Sequence, residues 1–246
     1  MRRSGGSAGA RRLLAVWLAL ASAGLVRAEP AGRVSHLLGV LTAERGADTR
    51  TLLSLDSVVQ VGDVLVSTRN TYARITFLDA SELILRPDSR VKIERYRFVP
   101  SDPPADRSLI QLLKGGLRRV SGLIGRRSPG EDRLETPIAV IGIRGTHYGL
   151  LLCQQDCGGI PTPSGAPLPD GLHADVAQGQ IVLRNPAGEI ILGAGQFAYV
   201  RDSATPPAIV PPGEGVKVTA PAAIIRNRGK GQTLDADRCD GDCVVQ

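Results

Sequence analysis

Apolar and polar residues alternate along most of the chain, in short runs that Gly, Asp, Asn or Pro interrupt at intervals of about 8 to 12 residues. The pattern extends from Val34 to Arg201 and is clearest in residues 73–78, 82–86 and 90–98, where one face is apolar and the other is charged. No segment between residues 30 and 200 repeats with the period of a helix. The pattern predicts an all-β fold of short strands in a sandwich, barrel or solenoid-like arrangement. We expect one solvent-facing side on each strand and no helix longer than about two turns within residues 34–201.

Turn-forming residues divide this β region and mark its end. Residues 181–183 and 190–192 flank Asn185-Pro186-Ala187-Gly188, which predicts a hairpin because Asn, Pro and Gly favour turn conformations. Residues 158–171 are rich in Gly and Pro and predict an exposed loop. Residues 205–221 are Pro-rich, which suits an extended linker, and the remainder is mostly polar. We therefore expect residues 202–246 to be an irregular tail draped on the core.

The amino terminus is typical of a secretory signal peptide. Four arginines precede an apolar run, Leu13 to Val26, and Val26-Arg27-Ala28 offers a cleavage site. The run is shorter than the roughly 20 residues that a membrane-spanning helix needs. No later stretch has 18 apolar residues without charge. We predict cleavage after Ala28, with Ala23 as the alternative. The mature chain should have no transmembrane segment and should be periplasmic or secreted.

Removal of the signal peptide would leave the chain nearly neutral. The chain has 30 basic and 24 acidic residues, but five of the arginines lie in residues 1–28, so 25 basic residues face 24 acidic ones after cleavage. Nucleic acid is therefore not expected as a partner. Basic residues still cluster around a glycine-rich stretch, where we interpret them as a solvated hairpin tip. They are Lys114, Arg118, Arg119, Arg126, Arg127 and Arg133.

Composition argues against several other functions. After cleavage the chain has no Trp or Met and only seven aromatic residues, which the core needs, so stacking on sugars or single-stranded nucleic acid is disfavoured. The three histidines, His36, His147 and His173, are scattered without the spacing of a catalytic motif. We predict no enzymatic activity, no cofactor and no metal site.

Several motifs within roughly residues 34–201, and their order along the chain, resemble the FecR domain. This domain is the extracytoplasmic β module of bacterial sigma-factor regulators. Gly62-Asp63 leads into the strand 64–67, Asp79-Ala80-Ser81 stands at a turn, and Leu113-Lys114-Gly115-Gly116-Leu117 follows. The most specific match is the Arg-Gly-Thr step after the apolar run 139–143, formed by Arg144, Gly145 and Thr146. Relatives usually have Asp-Gly-Ser where this chain has Asp79-Ala80-Ser81.

The resemblance implies an exported binding module that relays or senses signals through a protein partner in the cell envelope. Sigma regulators carry a cytoplasmic segment and a membrane helix before the module, whereas this chain has a signal peptide, so we do not expect direct control of a sigma factor. A second hypothesis is a structural envelope component that associates with peptidoglycan or polysaccharide.

The motif residues are predicted to be structural first and binding residues second. Arg144 could bind an anion, but a charged residue at the end of a buried strand more often pairs with a carboxylate or carbonyl groups. Asp63 and Asp79 suit turns because Asp accepts backbone hydrogen bonds there. His147 is interpreted as a strand side chain.

The four cysteines form two Cys-x-x-x-Cys pairs, Cys153 with Cys157 and Cys239 with Cys243. Export favours disulfides over a zinc site. A straight strand would hold the Cα atoms within one pair about 13 Å apart, too far for a disulfide, so a local bridge requires a turn. Asp156-Cys157-Gly158-Gly159 and Asp240-Gly241-Asp242 offer such turns. We nevertheless predict that Cys153 and Cys157 pair with Cys239 and Cys243, because these bridges would tether the polar tail to the core.

Overall fold

This computed structural model describes residues 29–46, 49–128 and 130–225. The predicted signal peptide and the cysteines at 239 and 243 lie outside these ranges. The side chain of Arg144 also lies outside the description, although its backbone belongs to a strand.

Strands dominate the described residues, and the predicted all-β class is confirmed. The helical segments are a 3-10 turn at Pro103–Ala105, α1 (Leu123–Arg127) and α2 (Ala222–Ile225), none longer than two turns. The strands are β1 (Pro30–Leu38), β2 (Leu41–Arg45), β3 (Thr49–Leu53), β4 (Val58–Gln60), β5 (Val64–Ser67), β6 (Tyr72–Phe77), β7 (Glu82–Leu85), β8 (Arg90–Arg97), β9 (Arg107–Val120), β10 (Asp132–Glu135), β11 (Val140–Cys153), β12 (Gly171–Asn185), β13 (Gly188–Gly193), β14 (Phe197–Val200) and β15 (Ala208–Val210).

Three long strands join two halves of one sheet. The first half has the order β3-β2-β5-β8-β9-β10-β11-β12-β13, and the second has the order β4-β1-β6-β7-β9-β11-β12-β14-β15. All neighbours are antiparallel except β9 and β10. Buried apolar side chains from both halves belong to one continuous core cluster. The arrangement is therefore sandwich-like, with β9, β11 and β12 shared between the halves.

The shared strands bend at glycines with positive φ: Gly115 in β9 (74°), Gly145 in β11 (57°) and Gly179 in β12 (77°). A Cβ at Gly179 would lie 2.7 Å from the carbonyl oxygen of Gly145, so the last two corners touch. The sequence pattern predicts only short strands, whereas these three have 14, 14 and 15 residues. The difference arises because a glycine in the left-handed region bends a strand without ending it.

The hairpin predicted at residues 181–192 is confirmed, since β12 and β13 pair antiparallel with Asn185 opposite Gly188. The segment 158–171 is mostly exposed, but its Leu168 is buried in a small second cluster with Leu151 and Val218. None of the described helices is long and apolar enough to cross a membrane.

Candidate interaction site

Thr146 fastens the corner that the Arg-Gly-Thr step forms in β11. Its backbone N–H donates to Ser121 Oγ (2.6 Å), and its carbonyl accepts from Ser121 N (3.0 Å) and Ser121 Oγ (2.9 Å). Its hydroxyl donates to the carbonyl of Gln180 (2.6 Å) in β12. These bonds join β11 both to β12 and to the residue that follows β9. Gly145 supplies the bend, and Arg144 pairs with Gln180 through the register of the two strands.

The two motif aspartates also hold turns. Asp63 is buried, accepts from Gln60 N (2.9 Å) and pairs with Arg45 Nε (2.8 Å). The hydrogen bond to Asp63 raises the pKa of Arg45. Gly62, just before Asp63, donates its N–H to the carbonyl of Ile93 (2.7 Å). This step therefore anchors the start of β5 to β8.

Asp79 binds four donors beside β7. Its Oδ1 accepts from Ser81 N (3.1 Å), Ser81 Oγ (2.6 Å) and Tyr96 Oη (2.9 Å), and its Oδ2 accepts from Ile124 N (3.2 Å). Burial, followed by the charge of Asp79, raises the pKa of Tyr96 and keeps this phenol a donor. Ala80 between Asp79 and Ser81 has φ of 62°, so it adopts the left-handed conformation that glycine prefers.

The basic cluster is not a solvated hairpin tip, and that interpretation is wrong. Arg118 and Arg119 lie inside the long strand β9 and are buried. Arg119 pairs with Asp132 and donates to Ser108 Oγ (2.9 Å). Burial raises the pKa of Asp132, and the guanidinium of Arg119 offsets part of that rise.

Two further members of the cluster have carboxylate partners. Arg127 binds Asp106 (2.8 Å) and stacks its guanidinium 4.6 Å from the ring centre of Phe98. Lys114 lies 3.4 Å from Asp156. The charges are therefore largely neutralised within the fold, because β9 is flanked by strands and loops that carry acidic residues.

Arg118 is the centre of a polar group that holds the backbone of Val218. Its Nη1 donates to Asp175 Oδ2 (3.1 Å) and to the carbonyl of Val218 (2.5 Å), and its Nε donates to His147 Nε2 (2.8 Å). Burial, and secondarily the charge of Arg118, lowers the pKa of His147 to about 4. His147 is thus a neutral acceptor at neutral pH.

We call residues 216–225 the strap, because they cross the second half of the sheet. At one end, Val218 N donates to Asp175 Oδ1 (2.9 Å). At the other end, Arg74 Nη1 donates to the carbonyls of Ile225 (3.2 Å) and Ile224 (3.5 Å) while Arg74 pairs with Glu82. The strap therefore lies over the side of the sheet that alternation assigns to solvent. Arg74, on that side of β6, is only 1% exposed.

Val218 fills an apolar pocket under the strap. It is fully buried and packs with Leu151, Cys153, Cys157 and Leu168. A Cβ at Gly149 would lie 2.6 Å from Val218 Cβ and 2.3 Å from Asp175 Oδ1. Only glycine at position 149 therefore allows the strap to approach β11 this closely.

The disulfide beside this pocket joins Cys153 to Cys157, with Cα atoms 5.4 Å apart. The prediction that these two cysteines pair with Cys239 and Cys243 is wrong. The chain leaves β11 at Cys153 and turns at once, with Gln155 at φ of 65° and Asp156 Oδ1 accepting from Gln154 N (2.9 Å). This turn brings the two Cα atoms within the distance that a disulfide requires, which a straight strand cannot do. The strap reaches the core through hydrogen bonds and Val218 instead.

Two of the three histidines make contacts inside the fold. His147 accepts from Arg118, whereas His173 contacts the carbonyl of Pro169 (2.8 Å) and stacks on Tyr199. Within the described ranges, no three His, Cys, Asp or Glu residues are grouped as metal ligands. Sequence reasoning missed Arg74, Asp175 and Val218. The first two occupy charged positions in alternating strands, which the pattern assigns to solvent.

Part of the chain matches a known family. Residues 63–158 match the FecR family, described as FecR protein, so the resemblance inferred from the motifs is confirmed for this stretch. It includes Asp63, Asp79 and the Arg-Gly-Thr step, and it ends before Asp175 and the strap. A search of curated proteins gives no match.

The chain is similar to two crystal structures of a candidate anti-sigma factor from Parabacteroides distasonis ATCC 8503. Their sequence identities are 13% and 11%, with TM-scores of 0.44 and 0.43. Each comparison covers 60% of this chain and 58% of the other, so this chain spans less than two thirds of their length.

Proposed function

We propose that this chain, whose residues 63–158 form a FecR domain, is an exported, non-enzymatic module that binds a protein partner and relays or senses a signal in the bacterial periplasm or cell envelope. The FecR match at residues 63–158 is the observation that supports the proposal, because the modules that this stretch resembles belong to sigma-factor regulators. The signal-peptide pattern of residues 1–28 supports the location.

Two strand edges supply surfaces for such a partner. In the part of the chain that the structure describes, β3 pairs with β2 alone and β13 pairs with β12 alone. Each edge carries a large exposed apolar side chain, Leu52 (69% exposed) in β3 and Ile191 (58%) in β13. An open strand can accept an added strand from another protein through backbone hydrogen bonds, with side chains giving specificity.

The surroundings of the histidines support the non-enzymatic part of the proposal. His147 uses Nε2 to accept from Arg118, and the lowered pKa keeps its ring neutral, so it is poorly placed to take up a proton. His173 is buried between Tyr199 and the carbonyl of Pro169.

A pull-down from crosslinked envelope tests the proposal. Tagged wild type should recover a specific protein, and Leu52→Lys or Ile191→Lys should lose it, because a charge at the docking edge opposes strand addition. Leu78→Lys is the matched control, since Leu78 is 55% exposed in a turn. Co-sedimentation with purified peptidoglycan, without any recovered protein, would contradict the proposal and favour a structural envelope component.

A further inference from the structure

We infer that the outward side of the first half of the sheet, around Gly142, is a docking surface for an acidic surface of the partner protein. We call this surface the basic face and define it by five residues of β8, β9, β10 and β11: Arg95, Arg97, Leu109, Arg133 and Gly142. The inference rests on the proposed function and deepens it, because it names the chemistry of the partner.

Strand register places four of these residues in one row. Arg95 lies opposite Leu109, and Leu109 lies opposite Arg133 on its other side. Arg133 in turn lies opposite Gly142. Residues opposite each other on neighbouring strands point to the same side of a sheet. Because Arg95 and Arg133 are exposed, the whole row lies on the solvent side of the sheet.

The basic face carries positive charge that the fold does not neutralise. Arg95, Arg97 and Arg133 are exposed, and within the residues that the structure describes none of them forms an ion pair. Three acidic residues in or beside β8 and β10 already have partners, in the contacts Glu94–Lys92 (2.6 Å), Glu131–Arg107 (3.2 Å) and Glu135–Gln111 (3.2 Å). The three guanidinium groups are therefore available to carboxylates of another molecule.

Gly142 leaves a gap in the row that none of its described neighbours requires. It lies inside β11, between Arg133 on β10 and Val182 on β12, and it is not among the glycines with positive φ. A Cβ at this position would meet only the Cβ of Val182, at 3.7 Å, which is ordinary contact. Glycine inside a strand lowers stability, and it often marks a place where another molecule approaches the backbone closely. The gap thus points to contact from outside.

Apolar side chains continue the row towards the open edge of β13. Val182 lies opposite Gly142, and Ile191 lies opposite Val182. Ile191 is 58% exposed, and Val140 in the next row is 37% exposed, so no described segment covers this end of the face. Arginine beside apolar contact area is typical of interfaces between proteins. The apolar part favours a protein over a purely anionic polymer.

Charge and spacing select among protein partners. A second copy would bring arginines against arginines across a two-fold axis, which like-charge repulsion opposes. Arg95 and Arg133 lie on strands about 10 Å apart, and Arg95 and Arg97 are about 7 Å apart along β8. Carboxylates at alternate positions of an extended segment have this shorter spacing. The geometry therefore fits a partner surface with neighbouring carboxylates.

Binding of a labelled octaglutamate peptide to the mature chain tests the inference. The variant with Arg95→Gln, Arg97→Gln and Arg133→Gln should bind the peptide about ten-fold more weakly than wild type does, and added salt should weaken wild-type binding. The matched control removes the same charge from exposed arginines elsewhere, through Arg33→Gln, Arg69→Gln and Arg201→Gln. It should bind as wild type does. An equal loss in both triple variants would indicate an effect of net charge alone and overturn the inference.

Gly142→Thr separates binding from stability. Threonine suits a strand and meets open space here, so the midpoint of urea denaturation should rise. The same side chain fills the gap, so octaglutamate should bind about five-fold or more weakly. A lower midpoint would show that the fold itself requires this glycine, and unchanged binding would show that no ligand enters the gap. Either result overturns the inference.

The pull-down separates this inference from the proposed function. A partner recovered equally by wild type and by the Arg95, Arg97 and Arg133 triple variant leaves the proposed function standing and refutes the basic face. Octaglutamate binding without any recovered protein supports the basic face and counts against the proposed function.

Two further measurements identify other occupants. Wild type retained on phosphatidylglycerol vesicles, with retention lost in the triple variant, would assign the face to membrane phosphates and overturn the assignment to a protein. The end of the chain is acidic, with aspartates at 235, 237, 240 and 242. If changing these four to asparagine raises octaglutamate binding, the chain's own tail occupies the face and the assignment to a partner is wrong.

Discussion

At the scale of single residues, Ala80 adopts a conformation that its side chain disfavours. It lies in the turn between β6 and β7 with φ of 62°, a region that glycine enters without strain. Asp79 and Ser81 on either side hold the turn through their mutual hydrogen bonds. The neighbouring contacts therefore keep the turn geometry although alanine replaces glycine.

Ala80→Gly should raise the free energy of unfolding by about 0.5–1 kcal/mol, because relief of the left-handed strain exceeds the added entropy of the unfolded chain. Urea denaturation measures the change. Ala187→Gly is the matched control, since Ala187 is also exposed in a turn but is not among the residues with positive φ, and it should lose stability. A loss of stability in both variants would contradict the prediction.

His147 makes stability depend on pH. Its pKa is about 4 in the folded chain, lowered by burial and then by Arg118, and near 6.5 when unfolded. Between these values the unfolded chain takes up a proton that the folded chain refuses, so stability falls as pH falls from 6.5 towards 4.

Between pH 7 and pH 5, the His147→Gln variant should lose less free energy of unfolding than wild type does. The difference should be about 2 kcal/mol at most. Glutamine can still accept from Arg118 but does not titrate. Denaturation curves measured at several pH values test this, and the difference between the two proteins should change least above pH 7. Parallel curves from pH 7 to pH 5 would show that His147 is not the titrating group.

At the scale of strands, the glycine corners let β9, β11 and β12 serve both halves of the sheet. The corners in β11 and β12 touch, since a Cβ at Gly179 would meet the carbonyl of Gly145. Thr146 then bonds to Gln180 across the same place. The Arg-Gly-Thr step is therefore a structural junction between strands.

Gly179→Ala should lower the free energy of unfolding by about 2 kcal/mol or more, from left-handed strain plus the clash with Gly145. Gly195→Ala is the control, because its φ is also positive (79°) but no atom lies within 4 Å of the added Cβ. It should lose about 1 kcal/mol. Thermal or urea unfolding compares them, and equal losses would mean that the contact between corners is unimportant.

The disulfide acts on one turn rather than on the whole tail. A bridge across the four-residue separation of Cys153 and Cys157 should contribute about 2 kcal/mol, against about 4 kcal/mol for a loop of roughly 90 residues. Replacing both cysteines by serine should therefore produce the smaller loss in urea denaturation.

Peptide mapping without reduction gives the matched control. The Cys239→Ser/Cys243→Ser double variant should keep the Cys153–Cys157 crosslink. In wild type, a peptide that links Cys153 or Cys157 to Cys239 or Cys243 would restore the tethered arrangement.

At the scale of the whole molecule, the strap returns to the sheet after β15. The strap joins residues distant in sequence, since Arg118 binds the carbonyl of Val218 and Arg74 binds that of Ile225. The described part of the tail is thus an integral layer over the second half of the sheet.

Export remains a prediction at this scale. The native protein should have the intact mass of a chain that starts at Glu29, and cell fractionation should place it outside the cytoplasm, because residues 1–28 have the charge and apolar run of a signal peptide. Ala28→Arg should slow processing by disrupting the small-residue cleavage site. A soluble cytoplasmic product that retains residues 1–26 would contradict export.

The sequence by itself determined the strand content, the hairpin at residues 181–192 and the FecR motifs. These depend on local properties, namely the two-residue period of a strand, the turn preferences of Asn and Gly, and a short motif around Gly145. Each can be recognised within about ten neighbouring residues.

Only the tertiary structure decided which charged faces are buried. Alternation shows that Arg74 and Asp175 lie opposite the apolar face, but it cannot show that a segment more than 40 residues away covers them. The same holds for Arg118, whose partners Asp175 and Val218 are 57 and 100 residues away. Burial is set by contacts between distant segments, whereas periodicity reports only the direction of a side chain from its own strand.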